Sequence, residues 1–108
     1  MAEIPAHFYS GELTIEGLEK TRESYIRSLD YADRDKLLYY KGYFESKLEE
    51  AQEWNLFAES RGEYVLRERI FIPAAERRRL LDTKENTTKL ILLWKGLLEE
   101  TKRRLGEA

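Results

Sequence analysis

Apolar residues along this chain change their period several times, and each change predicts an element. From Leu13 the spacing is helical: Ile15, Leu18, Tyr25 and Leu29 share one face, with Ile26 beside them. Arg22 interrupts that stripe, although its aliphatic stem can lie along apolar surface. Asp30, Asp33 and Asp35 then cluster. Such residues accept hydrogen bonds from the free N–H groups of a helix start and oppose its positive end, so a break is expected there. A second helix is predicted from about Ala32 to Ser60. Leu37, Phe44, Ala51 and Ala58 lie seven apart, and Tyr40, Leu48 and Trp54 fall between them. Such a helix runs roughly 40 Å, which is long against the ~13 Å radius of gyration of a compact domain this size. Part of it therefore needs cover outside a minimal monomeric core. Gly62 is its expected left-handed cap.

The pattern changes at Tyr64. The segment through Ile72 is rich in β-branched and aromatic residues and alternates roughly, which predicts a short strand near 64–72, with a helical alternative open. A lone strand leaves backbone groups unpaired and so needs a partner. Pro73 suits a helix start, and a short helix is expected from Ala74 to Leu81. Asp82 to Glu85 has a capping-box-like spacing, and Thr87 and Thr88 offer a second start. The last helix carries the strongest stripe: Leu90, Leu93, Trp94, Leu97, Leu98, Thr101 and Leu105. Trp94 and Leu97 are its expected core positions. Lys102, Arg103 and Arg104 suit the negative end of its dipole, and Gly106 closes it. The expected organisation is an N-terminal arm over 1–12, with Ile4, Phe8 and Tyr9 docking it, and a single helical domain over 13–108. The fold class is mainly α: a long central helix packed by N- and C-terminal helices, with one short strand segment near 64–72.

Composition narrows the class. No apolar run approaches the ~20 residues of a spanning helix, so no membrane is expected. Seven Tyr, four Phe and two Trp in 108 residues are too many buryable rings for a solvated chain. Cysteine is absent, which removes disulfides and thiolate chemistry. One Gln, two Asn and one Met among abundant Glu, Lys and Arg form a thermophile-like composition. The first residues lack the basic start and apolar core of a secretion signal, so a cytoplasmic location is expected.

Candidate chemistry is sparse. His7 is the single histidine and sits on the arm, a poor platform for a Ser-His-Asp unit. The Glu-x-x-His pattern of bundle metal sites does not occur. Asp30, Asp33 and Asp35 lack the central Gly and closing Glu of a calcium loop. The six glycines are scattered, with no phosphate-cradling run. The expectation is therefore no enzyme, no cofactor and no metal. Glu45, Glu49, Glu50 and Glu53, with Lys47 among them, read as a solvated face. Tyr39, Tyr40, Tyr43 and Phe44 cover more than one helical face. Tyrosine suits interfaces because a polar tip ends a large apolar body. Tyr39 and Tyr43 are thus candidate interface residues together with Phe8, Tyr9, Tyr64 and Phe71. The alternative is that the chain's own neighbours wrap these rings.

Charge is divided unevenly. The chain carries 19 basic and 21 acidic residues, but residues 1–60 are net -6 and residues 61–108 net +4. Arg77, Arg78 and Arg79 form one basic run, and Lys102, Arg103 and Arg104 another. Three successive helical residues spread over about 200°, so neither run makes a single stripe. Glu76, Glu99 and Glu100 are placed to pair with them. Residues 64–105 loosely resemble a ribbon–helix–helix DNA-binding module: strand, Pro73, short helix, polar turn at Asn86 to Thr88, amphipathic helix. That resemblance implies strands paired between two chains, with Arg67 and Arg69 in a major groove, Phe71 outward and Arg77, Arg78 and Arg79 nearby. Glu68 and Arg77 depart from it by falling where apolar residues belong. The leading expectation is a non-enzymatic protein–protein interaction protein, a subunit or adaptor of an oligomeric assembly that itself forms homo-oligomers. The alternative is a dimeric nucleic-acid-binding regulator.

Overall fold

The computed structural model describes residues 3–107. A 3-10 turn over Ala6–Phe8 is followed by α1 (Ile15–Asp30), α2 (Arg34–Arg67) and α3 (Ala74–Arg104). Two starts are capped by the side chains their sequence offers. The Thr14 hydroxyl accepts from the Gly17 N–H at 3.0 Å, and the Asp33 carboxylate accepts from the Lys36 N–H at 2.9 Å. Each cap contributes about 1 kcal/mol.

α2 and α3 form an antiparallel hairpin that gives the molecule its 52 × 25 × 20 Å shape. The seven-residue spacing explains why. Leu37, Phe44, Ala51, Ala58 and Val65 are all buried on α2, and Leu80, Thr87, Trp94 and Thr101 on α3. A strict seven-residue repeat keeps two helices facing each other over many turns through a left-handed coil.

The interior has two apolar clusters. The larger joins Leu29 of α1 to Leu37, Phe44, Leu93, Trp94, Leu97, Leu98 and Leu105. Phe44 stacks on Trp94 at 6.0 Å, and Tyr25 of α1 meets both edge-on at 5.2 and 5.8 Å. Trp94 and Leu97 are core residues, Leu97 fully so. The smaller cluster, toward the hairpin end, holds Ala58, Val65, Ile72 and Leu80, with Ile4 of the arm against it. Polar residues separate the two. The Asn55 amide of α2 donates to the Lys84 carbonyl and to the Thr87 and Thr88 hydroxyls of α3. Asn86, which is buried where Asn55 is half-buried, donates to the carbonyls of Phe8 and Gly11, both at 2.8 Å, and the Lys89 ammonium donates to the Leu13 carbonyl. These bonds tie the N-terminal arm to α3.

Three expectations are corrected. No strand occurs among the described residues, at 64–72 or elsewhere. Tyr64 to Arg67 instead form the last turn of α2, because Val65 continues the buried row and packs with Leu80. Tertiary packing here overrides a local β preference. α2 therefore passes Ser60 and Gly62, and Gly62 is an interior helical residue rather than a cap. Lastly, α3 is continuous through Asp82 to Thr88, where two helices were expected. The capping-type side chains bond elsewhere: the Thr87 and Thr88 hydroxyls donate to carbonyls one turn back, and Asn86 holds the arm.

Candidate protein interaction surface

The hairpin end is built by the way α2 stops. The Arg69 N–H donates to the Leu66 carbonyl at 3.3 Å, and the Ile70 N–H to the Val65 carbonyl at 3.0 Å. These two bonds define a Schellman motif, which requires a left-handed residue between them. That residue is Arg69, at φ 52°, the one non-glycine with positive φ among the described residues. The same motif ends α3, where Gly106 donates to Arg103 and Glu107 to Lys102, and the left-handed residue is a glycine at φ 80°.

Turning the chain at Arg69 sends Ile72 inward to the smaller cluster and leaves its neighbours outside. Leu66 is 80% exposed and Phe71 85%, with Ile70 and Tyr64 exposed beside them. Residues 61–79 hold six arginines against three glutamates. Arg67 pairs with Glu68 and Arg78 with Asp82. The Tyr64 ring lies within 6 Å of both the Arg61 and Arg67 guanidinium groups. The tip is therefore an apolar apex in a cationic collar.

The six rings singled out from the sequence lie in three places. Tyr64 and Phe71 are at the tip. Phe8 is buried against the chain's own body, and Tyr9 is half-buried under the Arg79 guanidinium at 5.2 Å. Tyr39 and Tyr43 are at the far end near the α1–α2 turn, Tyr39 exposed and Tyr43 half-buried. The Tyr43 hydroxyl is 3.3 Å from that of Tyr25, whose pKa is pushed up to about 12 by burial and by this hydrogen bond. Tyr31 and Leu38 are exposed near Tyr39. Leu66, Ile70, Tyr31 and Leu38 were not singled out from the sequence.

The basic runs are dispersed. Arg103 and Arg104 both bond Glu100, and Arg104 also reaches Asp30. Arg77, Arg78 and Arg79 point to different surroundings, with Arg78 on Asp82 and Arg79 on Tyr9. The ribbon–helix–helix order is not present: its strand is the end of α2 and a turn, and its two helices are one. His7 lies 3.7 Å from Glu50 with its side chain largely exposed. Among the described residues no helix is long and apolar enough to cross a membrane. Comparison with protein-family models, with curated proteins and with solved structures gives no match.

Proposed function

We propose that the protein is a non-enzymatic helical interaction protein, a cytoplasmic subunit or adaptor of an oligomeric assembly, and that it works through the tip of the α2–α3 hairpin. The observation that carries this reading is the exposure of Leu66 and Phe71 at the apex of a hairpin whose interior is otherwise packed. Burying a side chain of either type contributes roughly 1.5–3 kcal/mol, and in the isolated chain that is forgone. Arg69 adds support. A cationic residue is held where glycine fits without strain, and such outliers gather at functional positions. Arginine beside aromatic and aliphatic side chains is also the composition of energetically dominant interface residues.

The experiment is light scattering of the purified protein at micromolar concentration, together with recovery of bound material from native cells, for wild type and Phe71→Ser. Self-association or a bound protein, weakened in the variant, supports the reading. A clean 12.9 kDa monomer that binds no protein from its source refutes it.

The arginine excess at the tip favours one second reading, a nucleic-acid-binding regulator. Binding of labelled duplex that falls steeply with salt and vanishes in Arg67→Ala/Arg69→Ala supports that alternative. Against it stand Leu66 and Ile70, aliphatic groups that form no hydrogen bonds to base edges or phosphates, at the apex where polar readers of a groove are needed.

A further inference from the structure

α2 carries, about three turns behind its own tip, a surface complementary to that tip. Glu49, Glu53, Leu56, Ser60, Glu63 and Arg67 follow one another at steps of four and three residues, so they form a single row along the helix, and all are exposed. Leu56 is 64% exposed. Between Leu48 and Ser60 the sequence holds four glutamates and no Lys or Arg. Glu59 pairs with Lys84 and Glu50 lies near His7, while Glu49 and Glu53 form no salt bridge among the described residues. Leu56 is therefore an apolar spot beside unpaired carboxylates. The tip is an apolar spot beside guanidinium groups.

We infer that the tip of one copy seats on the Leu56 face of a second copy, and that the contact closes as a two-fold dimer of antiparallel α2 helices. This deepens the proposed function and rests on it. Leu56 and Arg67 are eleven residues apart, close to three full turns, so patch and tip face the same side about 16 Å apart. Two α2 helices laid antiparallel and crossing near Ser60 bring each tip onto the other's patch at once. Leu56 then lies against the stem of Arg67 of the partner subunit, with Leu66 of the partner subunit about a quarter turn round the helix at the edge of the contact, and Glu53 is in reach of Arg69 of the partner subunit. The small Ser60 lets the helices approach at the crossing. Such a contact is isologous and closes, where a one-way contact would propagate into filaments. Tip-to-tip pairing is disfavoured, because it places like arginine collars together. A second copy is the favoured occupant because the chain itself supplies the charge complement.

The test is charge reversal, read by light scattering and sedimentation. Wild type is expected to dimerise at micromolar concentration, more weakly as salt is added. Arg67→Glu/Arg69→Glu, with an acidic tip and an acidic patch, is expected to be monomeric. Glu49→Arg/Glu53→Arg, basic at both places, is expected to be monomeric as well. Mixed in equal amounts, the two are expected to form a heterodimer, because each tip again meets a patch of opposite charge. All four side chains are exposed, and circular dichroism checks that the variants fold. Leu56→Ser leaves every charge in place and is expected to weaken the wild-type dimer at least about tenfold. A wild type that stays monomeric overturns the inference, as does a dimer indifferent to both reversals or a mixture that fails to associate. A dimer surviving both reversals, but lost in Phe71→Ser, removes this geometry and leaves the proposed function intact. Capture of another protein by the tip, with no self-association, does the same. Self-association that disappears on nuclease treatment overturns both.

Discussion

Arg69→Gly is expected to make the protein more stable, although it deletes a side chain and adds no contact. Arg69 sits at φ 52° at the end of α2, and its side chain forms no hydrogen bond or ion pair among the described residues. The left-handed conformation costs an L-residue about 1–2 kcal/mol, because its Cβ crowds the following carbonyl. Glycine removes that cost but loses more backbone freedom on folding, which takes back about 0.5–1 kcal/mol. The two Schellman hydrogen bonds are backbone bonds and survive the change. The net expectation is a gain of about 0.5–1 kcal/mol. Gly106 supplies the control. It occupies the same position in the same motif at φ 80°, nothing lies within 4 Å of the place its Cβ would take, and Gly106→Ala is expected to lose a similar amount. Urea unfolding of both variants, at high salt and low protein concentration so that association does not contribute, measures the pair. A destabilised Arg69→Gly would refute the strain argument, and an unchanged Gly106→Ala would show that these ends fray freely. Stability gained together with weaker dimerisation would show that the arginine is kept for what it binds.

Leu97→Ala, at a site with no exposure in the larger cluster, is expected to cost about 2–5 kcal/mol; a loss under about half a kilocalorie in urea unfolding contradicts that burial. The Thr83 hydroxyl is buried without a hydrogen-bond partner, so the isosteric Thr83→Val is expected to gain about 1 kcal/mol, and a comparable loss would reveal a bond the hydroxyl makes. Tyr25 holds its proton to about pH 12 in the fold against 10 in the open chain, so the folded state binds more protons in that window. The stability tied to Tyr25 is full below pH 10, declines as pH rises from 10 to 12 and is gone above; a pH series of urea melts in which Tyr25→Phe declines as steeply as wild type contradicts this. Depletion of Gln, Asn and Met with dense ion pairing predicts a thermal midpoint above the ~45–65 °C of mesophile domains, which a single calorimetric scan checks.

The helical class and the larger cluster were legible because several signals agreed there. Leu37, Phe44, Ala51 and Ala58 announce a buried row by spacing alone, Asp33 marks its start, and Leu93, Trp94 and Leu97 mark the facing row. Legibility ended where local chemistry and packing disagree. Tyr64 to Ile72 has the composition of a strand, but the seven-residue row runs on to Val65, and its burial against Leu80 holds the chain helical. Asp82, Thr83, Asn86, Thr87 and Thr88 look like helix starts when their side chains are assumed to cap. In the fold the Asn86 side chain bonds sideways, those of Asp82, Thr87 and Thr88 reach one turn back, the Thr83 hydroxyl is buried unpartnered, and the helix never stops.

The interaction surface was harder to read, for a different reason. Phe71 and Tyr64 could be singled out because large rings ask for cover wherever they fall. Leu66 could not, since a leucine in a long helix is outward or inward only by its phase against a buried row, and a row that ends at Ala58 gives Leu66 no phase; Leu56 lies inside that row and is outward by it, but a lone leucine gives no reason to be singled out. Extending it to Val65 turns Leu66 outward. The turn at Arg69 was equally hidden, because arginine carries no preference for the left-handed region and glycine was the residue to look for. A strained arginine, an exposed phenylalanine two residues later and an exposed leucine three residues before it are each unremarkable in a sequence. Placed on one apex, they are three departures from stability at one point of the surface, and a bound second copy would offset two of them together: it would cover Leu66 at the edge of the contact and give Arg69 a carboxylate to meet.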